Sequence, residues 1–224
     1  MKRSRKKLLW IIAILLVLVA TGLYLKRSQQ QKHVDGIDIS HHNRVSDWNK
    51  VNMGFIYAKA TEGKSHRDRK YKSYRCNAMK RKIPFGAYHF LSTSVTAQQQ
   101  FNNFKEVVPK GSTDLIPMLD VEDVLNSNRK EIQTIVGEWI SLCYDYYGSY
   151  PIIYCSPQFV YHVYLMGTPN ISKCQFWVGD IHTSFLPLKS GKIVQFKIDK
   201  VDGFDGGIDC NYLNGSLDEL RMNR

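Results

Sequence analysis

Eight short β-rich runs recur along this chain, at residues 36–40, 54–60, 84–91, 115–122, 151–156, 175–180, 192–197 and 207–213, with helical stretches between most of them. The patterning predicts helices over about 68–81, 96–107, 128–147 and 157–164, while the later runs are joined by short loops bearing Gly or Pro. Strands that alternate with helices argue for a parallel sheet, because parallel neighbours need a crossover connection that a helix supplies. Eight such strands in roughly 190 residues predict an α/β fold: a closed, shortened or irregular (β/α) barrel, with fewer helices in its second half. No Gly-x-Gly-x-x-Gly fingerprint follows the first run and no Walker-type loop occurs, so nucleotide chemistry has no support.

The stretch before the first run is of a different kind. Lys2, Arg3, Arg5, Lys6 and Lys7 lead into an uncharged segment from Leu8 to Leu25, which Lys26 and Arg27 close at once. At helical rise that segment spans about 27 Å, close to the hydrocarbon thickness of a bilayer. Five cations before it and two after it place the N-terminus in the cytoplasm. The expected organisation is therefore a basic cytoplasmic segment (1–7), a transmembrane signal-anchor (8–25), a polar linker (26–33) and one exported domain (34–224). A cleaved signal peptide is the rival reading, on the small residues Ala20-Thr21-Gly22.

Net charge matters here only once it is divided by region. The chain carries +11, but residues 1–30 hold seven Lys/Arg and no acid, which leaves +4 for the remainder. The excess is mostly a topology signal, and the cluster from Lys64 to Lys82 reads as a solvated helix face, so no nucleic-acid partner is expected. Cys76, Cys143, Cys155, Cys174 and Cys210 are widely spaced, without a Cys-x-x-Cys pair, and are expected as free thiols.

Candidate chemistry centres on Asp120-Val121-Glu122, at the end of an apolar run. On a strand, the period of two sends Asp120 and Glu122 to one face and Leu119 and Val121 to the other. Two close carboxyls do not both ionise cheaply, so one stays protonated near neutral pH and can serve as a general acid. A lone Asp-x-Glu is common on solvated strand ends and needs support. That support comes from Asp38 in the first run and Asp209 in the last, because first and last strands become neighbours when a barrel closes. Each Asp taken singly reads as a turn or cap residue. Aromatic rings at Tyr57, Tyr88, Tyr154 and Trp177 are candidate platforms for the apolar faces of sugars, with core packing as the alternative for each. Lys59 and Glu62 form either a cleft pair or a strand-end salt bridge, and Gln195 is a candidate hydrogen-bond partner for a sugar hydroxyl.

Several segments, in order, resemble glycoside hydrolase family 25, the muramidase-type lysozymes. They are Gly36-Ile37-Asp38-Ile39-Ser40, Phe55 to Gly63, Gly86-Ala87-Tyr88-His89-Phe90, Leu119 to Glu122, Ile153-Tyr154-Cys155-Ser156, Phe176-Trp177-Val178, Gln195-Phe196 and Ile208-Asp209-Cys210-Asn211. The resemblance runs from about Asp35 to Leu217. It implies hydrolysis of the β-1,4 bond between N-acetylmuramic acid and N-acetylglucosamine in peptidoglycan glycan strands. Carried over by motif, Glu122 is the proton donor, with Asp120, Asp38 and Asp209 around the sugar. Tyr88, Trp177, Tyr57, Tyr154, Gln195, Lys59, Glu62 and Asn211 are the expected substrate-binding set. A retaining, substrate-assisted route with Asp120 assisting is expected, and direct attack by Asp120 is the alternative. No cofactor and no metal are implied, and a monomer is expected. With the anchor, the chain is expected to be a single-pass protein of the bacterial inner (cytoplasmic) membrane, its catalytic domain in the periplasm or outside the cell.

One departure stands in the first loop, where His41-His42-Asn43 replaces the aromatic and glutamine that are frequent in the family. Two other readings remain. One is a catalytically inactive, anchored peptidoglycan-binding protein. The other is a metal-dependent hydrolase using Asp38, His41, His42 and His89, although neither His-x-His nor His-Glu-x-x-His occurs.

Overall fold

A computed structural model describes residues 34–122, 128–156, 167–179 and 191–222. The segments expected at 1–7, 8–25 and 26–33 and the helix expected at 157–164 lie outside the described residues. Among the described residues no helix is long and apolar enough to cross a membrane.

The strands are β1 (Val34–Ile39), β2 (Arg44–Val45), β3 (Phe55–Glu62), β4 (His66–Arg67), β5 (Phe85–Phe90), β6 (Met118–Asp120), β7 (Ile152–Cys155), β8 (Gln175–Gly179), β9 (Gly191–Lys200), β10 (Phe204–Asp205) and β11 (Gly207–Leu213). The helices are α1 (Tyr71–Lys80), α2 (Ala97–Val107) and α3 (Arg129–Tyr147). The main sheet has nine strands in the order β1-β11-β9-β8-β7-β6-β5-β3-β4, and β1 also pairs with β3. That pairing closes the sheet. The two-residue β4 is an appendage of β3, so the barrel wall has eight strands, one for each β-rich run in the sequence.

One expectation needs correction. The pairs β1–β3, β3–β5, β5–β6, β6–β7, β7–β8 and β8–β9 are parallel, but β9–β11 and β11–β1 are antiparallel. The reason is the connection. β9 ends at Lys200 and β11 starts at Gly207, and so short a loop can make a hairpin but not a crossover.

Alternation along the strands builds two cores. Ile56, Ala58 and Ala60 of β3, Leu119 of β6, Ile153 and Cys155 of β7, and Phe176 and Val178 of β8 face outward, onto the helices. Phe55, Tyr57, Met118, Ile152, Tyr154 and Trp177, from the same strands, face inward and fill the barrel. Tyr57 and Trp177 meet edge to face with ring centroids 5.2 Å apart, a geometry worth about 0.5–1.5 kcal/mol beyond the burial itself. The helices that cover the outer core have sequence-encoded ends. α2 starts from a Thr96/Gln99 capping box, and α3 starts at Asn128 and stops at Gly148, whose φ of 77° is the left-handed C-cap conformation. At the end of the barrel away from the strand C-termini, Leu220 is fully buried beside Leu115, and its carbonyl accepts from the Ile116 amide. The tail therefore plugs the floor, and among the described residues the barrel opens at the opposite end, its mouth.

Candidate active site

The mouth holds a cavity of about 180 Å³ lined by Asp38, Ser40, Lys59, Tyr88, Phe90, Met118, Asp120, Glu122, Tyr154, Gln195 and Asp209. All four candidate acids line it. β6 ends at Asp120, yet the two-residue alternation persists beyond it. Met118, Asp120 and Glu122 face the cavity, while Leu119 and Val121 are fully buried in the outer core. Asp38 and Asp209 are register partners across β1 and β11. Directly opposed residues place their side chains on one face, about 4.5–5.5 Å apart at Cβ. Asp209 sits near the start of its strand, and it reaches the mouth because β11 runs antiparallel to its neighbours.

Each carboxyl is shifted upward, and for each the first cause is burial. Asp38 is raised to about 8, with the charges of Asp209 and Glu122 adding to burial and a hydrogen bond from Asn211 opposing it. Asp120 lies well above the usual carboxylate range through burial and the charges of Glu122 and Asp38, against the pull of Lys59. Glu122 stands at the rim, the most exposed of the four. It is raised by burial and Asp209, with the neighbouring Tyr154 hydroxyl and the Lys59 charge opposing. Asp209 is raised by burial, against a hydrogen bond from Gln195. Such a group shares fewer than four negative charges at neutral pH, as a site that must donate a proton requires.

A second layer of hydrogen bonds holds these groups. Trp177 Nε1 donates to Asn211 Oδ1 at 2.9 Å, and Asn211 Nδ2 donates to Asp38 Oδ2 at 2.8 Å. Tyr154 donates to Gln195 Oε1 at 2.8 Å, and Gln195 Nε2 donates to Asp209 Oδ1 at 2.8 Å. Lys59 Nζ donates to Glu62 Oε2 at 2.6 Å and lies 4.4 Å from the centroid of the Phe90 ring. Asp120 Oδ1 is buried without a hydrogen-bond partner among the described residues.

Not every expected contact residue reaches the cavity. Tyr57 and Trp177 are fully buried inside the barrel, and Tyr57 gives its hydroxyl proton to the Ile116 carbonyl at 2.9 Å. Neither ring is a platform at the mouth, so their expectation as sugar-stacking residues is corrected to packing and, for Trp177, to support of Asn211. Asn211 is itself fully buried and meets Asp38 rather than the cavity. Glu62 stands behind Lys59 and does not line the cavity. Tyr88, Tyr154, Gln195 and Lys59 do line it, and Ser40, Phe90 and Met118 join them. Phe90 and Met118 were legible in principle, since each stands two residues from a residue already singled out on the same strand face.

Two of the histidines named for a metal site, His89 and His41, are engaged by other partners. His89 is fully buried on the outer face of β5, with Nδ1 2.7 Å from Thr61 Oγ1 and Nε2 3.1 Å from Gln100 Oε1. Burial holds it neutral, with its pKa lowered to about 4. His41 Nδ1 pairs with Asp68 at 2.9 Å. Among the described residues no group of three or more His, Cys, Asp or Glu side chains is placed to hold a metal ion.

A closed barrel whose strand ends carry four proton-sharing carboxyls around one opening defines the class: a glycoside hydrolase. The chain belongs to glycosyl hydrolases family 25, whose family model matches residues 37–186. It is 31% identical over 204 residues to the uncharacterized protein YegX of Escherichia coli (strain K12), covering 84% of this chain and 72% of that protein. It is 39% identical over 74 residues to Lysozyme M1 of Streptomyces globisporus, covering 30% of this chain and 25% of that protein. Among solved structures, a family 25 glycosyl hydrolase from Bacillus anthracis superposes with a TM-score of 0.74 at 26% identity, covering 85% of this chain and 93% of that one. The bacterial lysozyme from Streptomyces coelicolor shares the fold, with a TM-score of 0.73 at 23% identity over 85% of this chain and 96% of that one.

Proposed function

We propose that this protein is an N-acetylmuramidase that cuts the β-1,4 bond between N-acetylmuramic acid and N-acetylglucosamine in peptidoglycan, with Glu122 as general acid. The observation that carries this reading is the convergence of Asp38, Asp120, Glu122 and Asp209 on one small cavity in a family 25 barrel. Glu122 is at the rim, where a glycosidic oxygen can meet it, and burial beside Asp209 shifts its carboxyl upward, toward the protonated form a general acid needs. As the bond to the leaving sugar breaks, positive charge builds on the anomeric carbon and ring oxygen, and the cleft carboxylates stabilise it.

The retaining, substrate-assisted route fits the placement of Asp120. Asp120 lines the cavity beside Glu122, where its carboxyl can accept the N–H of the substrate's 2-acetamido group. The acetamido oxygen then attacks the anomeric carbon as Glu122 protonates the departing oxygen. Water, deprotonated by Glu122 in the second step, opens the resulting ring. Asp120 and Glu122 come from one strand end and stand on the same side of the cavity, an arrangement that favours this route over direct attack from the opposite face.

The test compares the full chain with its Glu122→Gln variant on purified peptidoglycan, reading the release of reducing ends. The variant is expected to lose about 10²–10⁴-fold in rate, the usual contribution of a positioned general acid, and to keep binding the polymer. Undiminished release would end the assignment.

The protein is proposed to be held by residues 8–25 in the bacterial inner membrane with the barrel exported, on the strength of the apolar run and the cation asymmetry around it. Membrane sedimentation checks this. The full chain is expected in the pellet after alkaline carbonate washing, and full release by that wash contradicts it.

A further inference from the structure

Two loops leave the barrel mouth side by side. β1 and β3 pair in parallel, so residues 40–43 after the first and 63–70 after the second, which include the short β4, rise from the same end. Ser40 lines the cavity. The first loop folds on itself, with the Asn43 amide donating to the Ser40 carbonyl at 2.9 Å and the Ser40 amide to Asn43 Oδ1 at 2.8 Å. The second loop and the helix after it clamp the first. His41 donates to Asp68 Oδ2 from its backbone amide at 2.8 Å and from Nδ1 at 2.9 Å, and the Asp68 side chain is fully buried. Lys70 Nζ and the Tyr74 hydroxyl donate to the Asn43 carbonyl at 2.7 and 2.6 Å.

Three imidazole rings gather on this clamp. The His41 centroid stands 3.9 Å from that of His42 and 5.9 Å from that of His66. His42 and His66 are exposed, and the hydrogen bonds they make among the described residues are main-chain ones, so their ring nitrogens are available to a ligand. Lys64 and Arg69 are exposed and without an ion-pair partner among the described residues, whereas Arg67 is tied to Glu106. These cations precede α1 and stand at the mouth, not on the helix face that the Lys64–Lys82 cluster suggests in sequence. Other described mouth loops differ. The turn from Leu91 to Val95 after β5 has no charged residue, and the β9–β11 hairpin sets Lys197 and Lys200 against Asp199, Asp202 and Asp205.

We propose that loops 40–43 and 63–70 form a subsite for the peptide carboxylates of peptidoglycan, in which His42 and His66 donate from their rings and Lys64 and Arg69 supply charge. His41 and Asp68 hold the two loops together. The proposal rests on the reading of the cavity as the site for N-acetylmuramic acid. That sugar carries a peptide through the lactyl group on its ring, and the peptide bears free carboxylates. The cavity, about 180 Å³, is small beside the roughly 300–1,000 Å³ of sites that enclose a drug-sized ligand, so a sugar enters and its peptide lies over the edge. Charge complementarity selects the carboxylate there, because imidazole N–H, ammonium and guanidinium groups are donors that bond best to an ionised acceptor. The chain is thereby selective for glycan that still carries its acidic peptide.

The experiment is isothermal titration of the full chain carrying Glu122→Gln, so that the ligands stay intact. The ligands are soluble glycan–peptide fragments and the same fragments with their carboxyls converted to amides by carbodiimide and ammonia, which keeps size and removes charge. The native fragments are expected to bind about tenfold tighter than the amidated ones. Replacing His42 and Arg69 together by Gln, or Lys64 and His66 together by Gln, is expected to cut that ratio below about threefold. Lys197→Gln, which removes a cation elsewhere on the mouth, is expected to keep it above about fivefold. All the replaced side chains are exposed, and near-ultraviolet circular dichroism reports folding. Equal affinity for the two ligands overturns the proposal, as does a ratio that survives in both double variants or falls equally in Lys197→Gln. Cleavage is read separately, as reducing ends released by the unaltered chain. If it cuts neither ligand the muramidase reading fails, and if it cuts both while the affinities are equal the subsite alone fails. Should Glu122→Gln still cleave, the proton-donor reading fails and the subsite is scored by the same ratios in kcat/KM.

Discussion

Asp38 shows what the site costs the fold. Its carboxyl is raised from an ordinary 3.8 to about 8 by burial beside Asp209 and Glu122. The folded state thus holds a proton that the unfolded chain releases above about pH 4, so stability is greatest below that pH and falls as pH rises toward 8. Asp38→Asn keeps the acceptor for Asn211 and removes the charge. We expect the variant to melt about 4–8 °C above the unaltered protein at pH 7, equivalent to about 2 kcal/mol once the opening of the side chain onto the cavity is discounted. The gap is expected to fall below about 2 °C at pH 4. A pH series of calorimetric scans checks this, and a variant less stable at pH 7 would show that the charge is well accommodated. Residue types and spacing identified the four carboxyls, but depth was not legible at this scale. Tyr57 and Trp177 share the inward face with Tyr154, and alternation cannot say that the first two lie in the barrel interior while the third reaches the cavity. Asn211 was expected as a contact residue from the family resemblance, and its hydrogen bond to Asp38 shows that it buttresses that acid instead.

Strands and their connections decide which end of the barrel each acid reaches. Asp209 is on the third residue of β11, a position that in a parallel strand would lie toward the floor. The hairpin after β9 reverses the strand and brings Asp209 opposite Asp38. The signal for that reversal was present in the sequence, as the paired Asp202-Gly203 and Asp205-Gly206 between two β-rich runs too close for a crossover, but alternation of strands and helices outweighed it. The eight β-rich runs themselves stand close to their expected places because each is short, apolar and bounded by turn residues. β8 carries an equally local requirement. Gly179 lies against Tyr154, and a Cβ there would stand 2.6 Å from the phenol oxygen. Gly179→Ala is expected to lower stability by about 1–3 kcal/mol in urea unfolding. It is also expected to lower kcat about tenfold by moving the phenol that lines the cavity with Glu122 and holds Gln195. A variant with unchanged kcat would show that the phenol has room to move without consequence.

At the scale of the whole molecule, two signals lay in different parts of the sequence. The charge excess and apolar run of the first thirty residues speak to placement in a cell, whereas the barrel speaks to chemistry, and the family match covers only the latter. The tail after β11 closes the floor of the barrel, and among the described residues the opposite end is the acid-lined mouth. The central claim is that this mouth delivers a proton from Glu122 to the bond on the reducing side of N-acetylmuramic acid. Its most direct test is mass spectrometry of borohydride-reduced products from peptidoglycan digested by the full chain, with Glu122→Gln run alongside. The account predicts fragments ending in N-acetylmuramitol, and none above background from the variant. Fragments ending in N-acetylglucosaminitol, or the same products from both proteins, would contradict it.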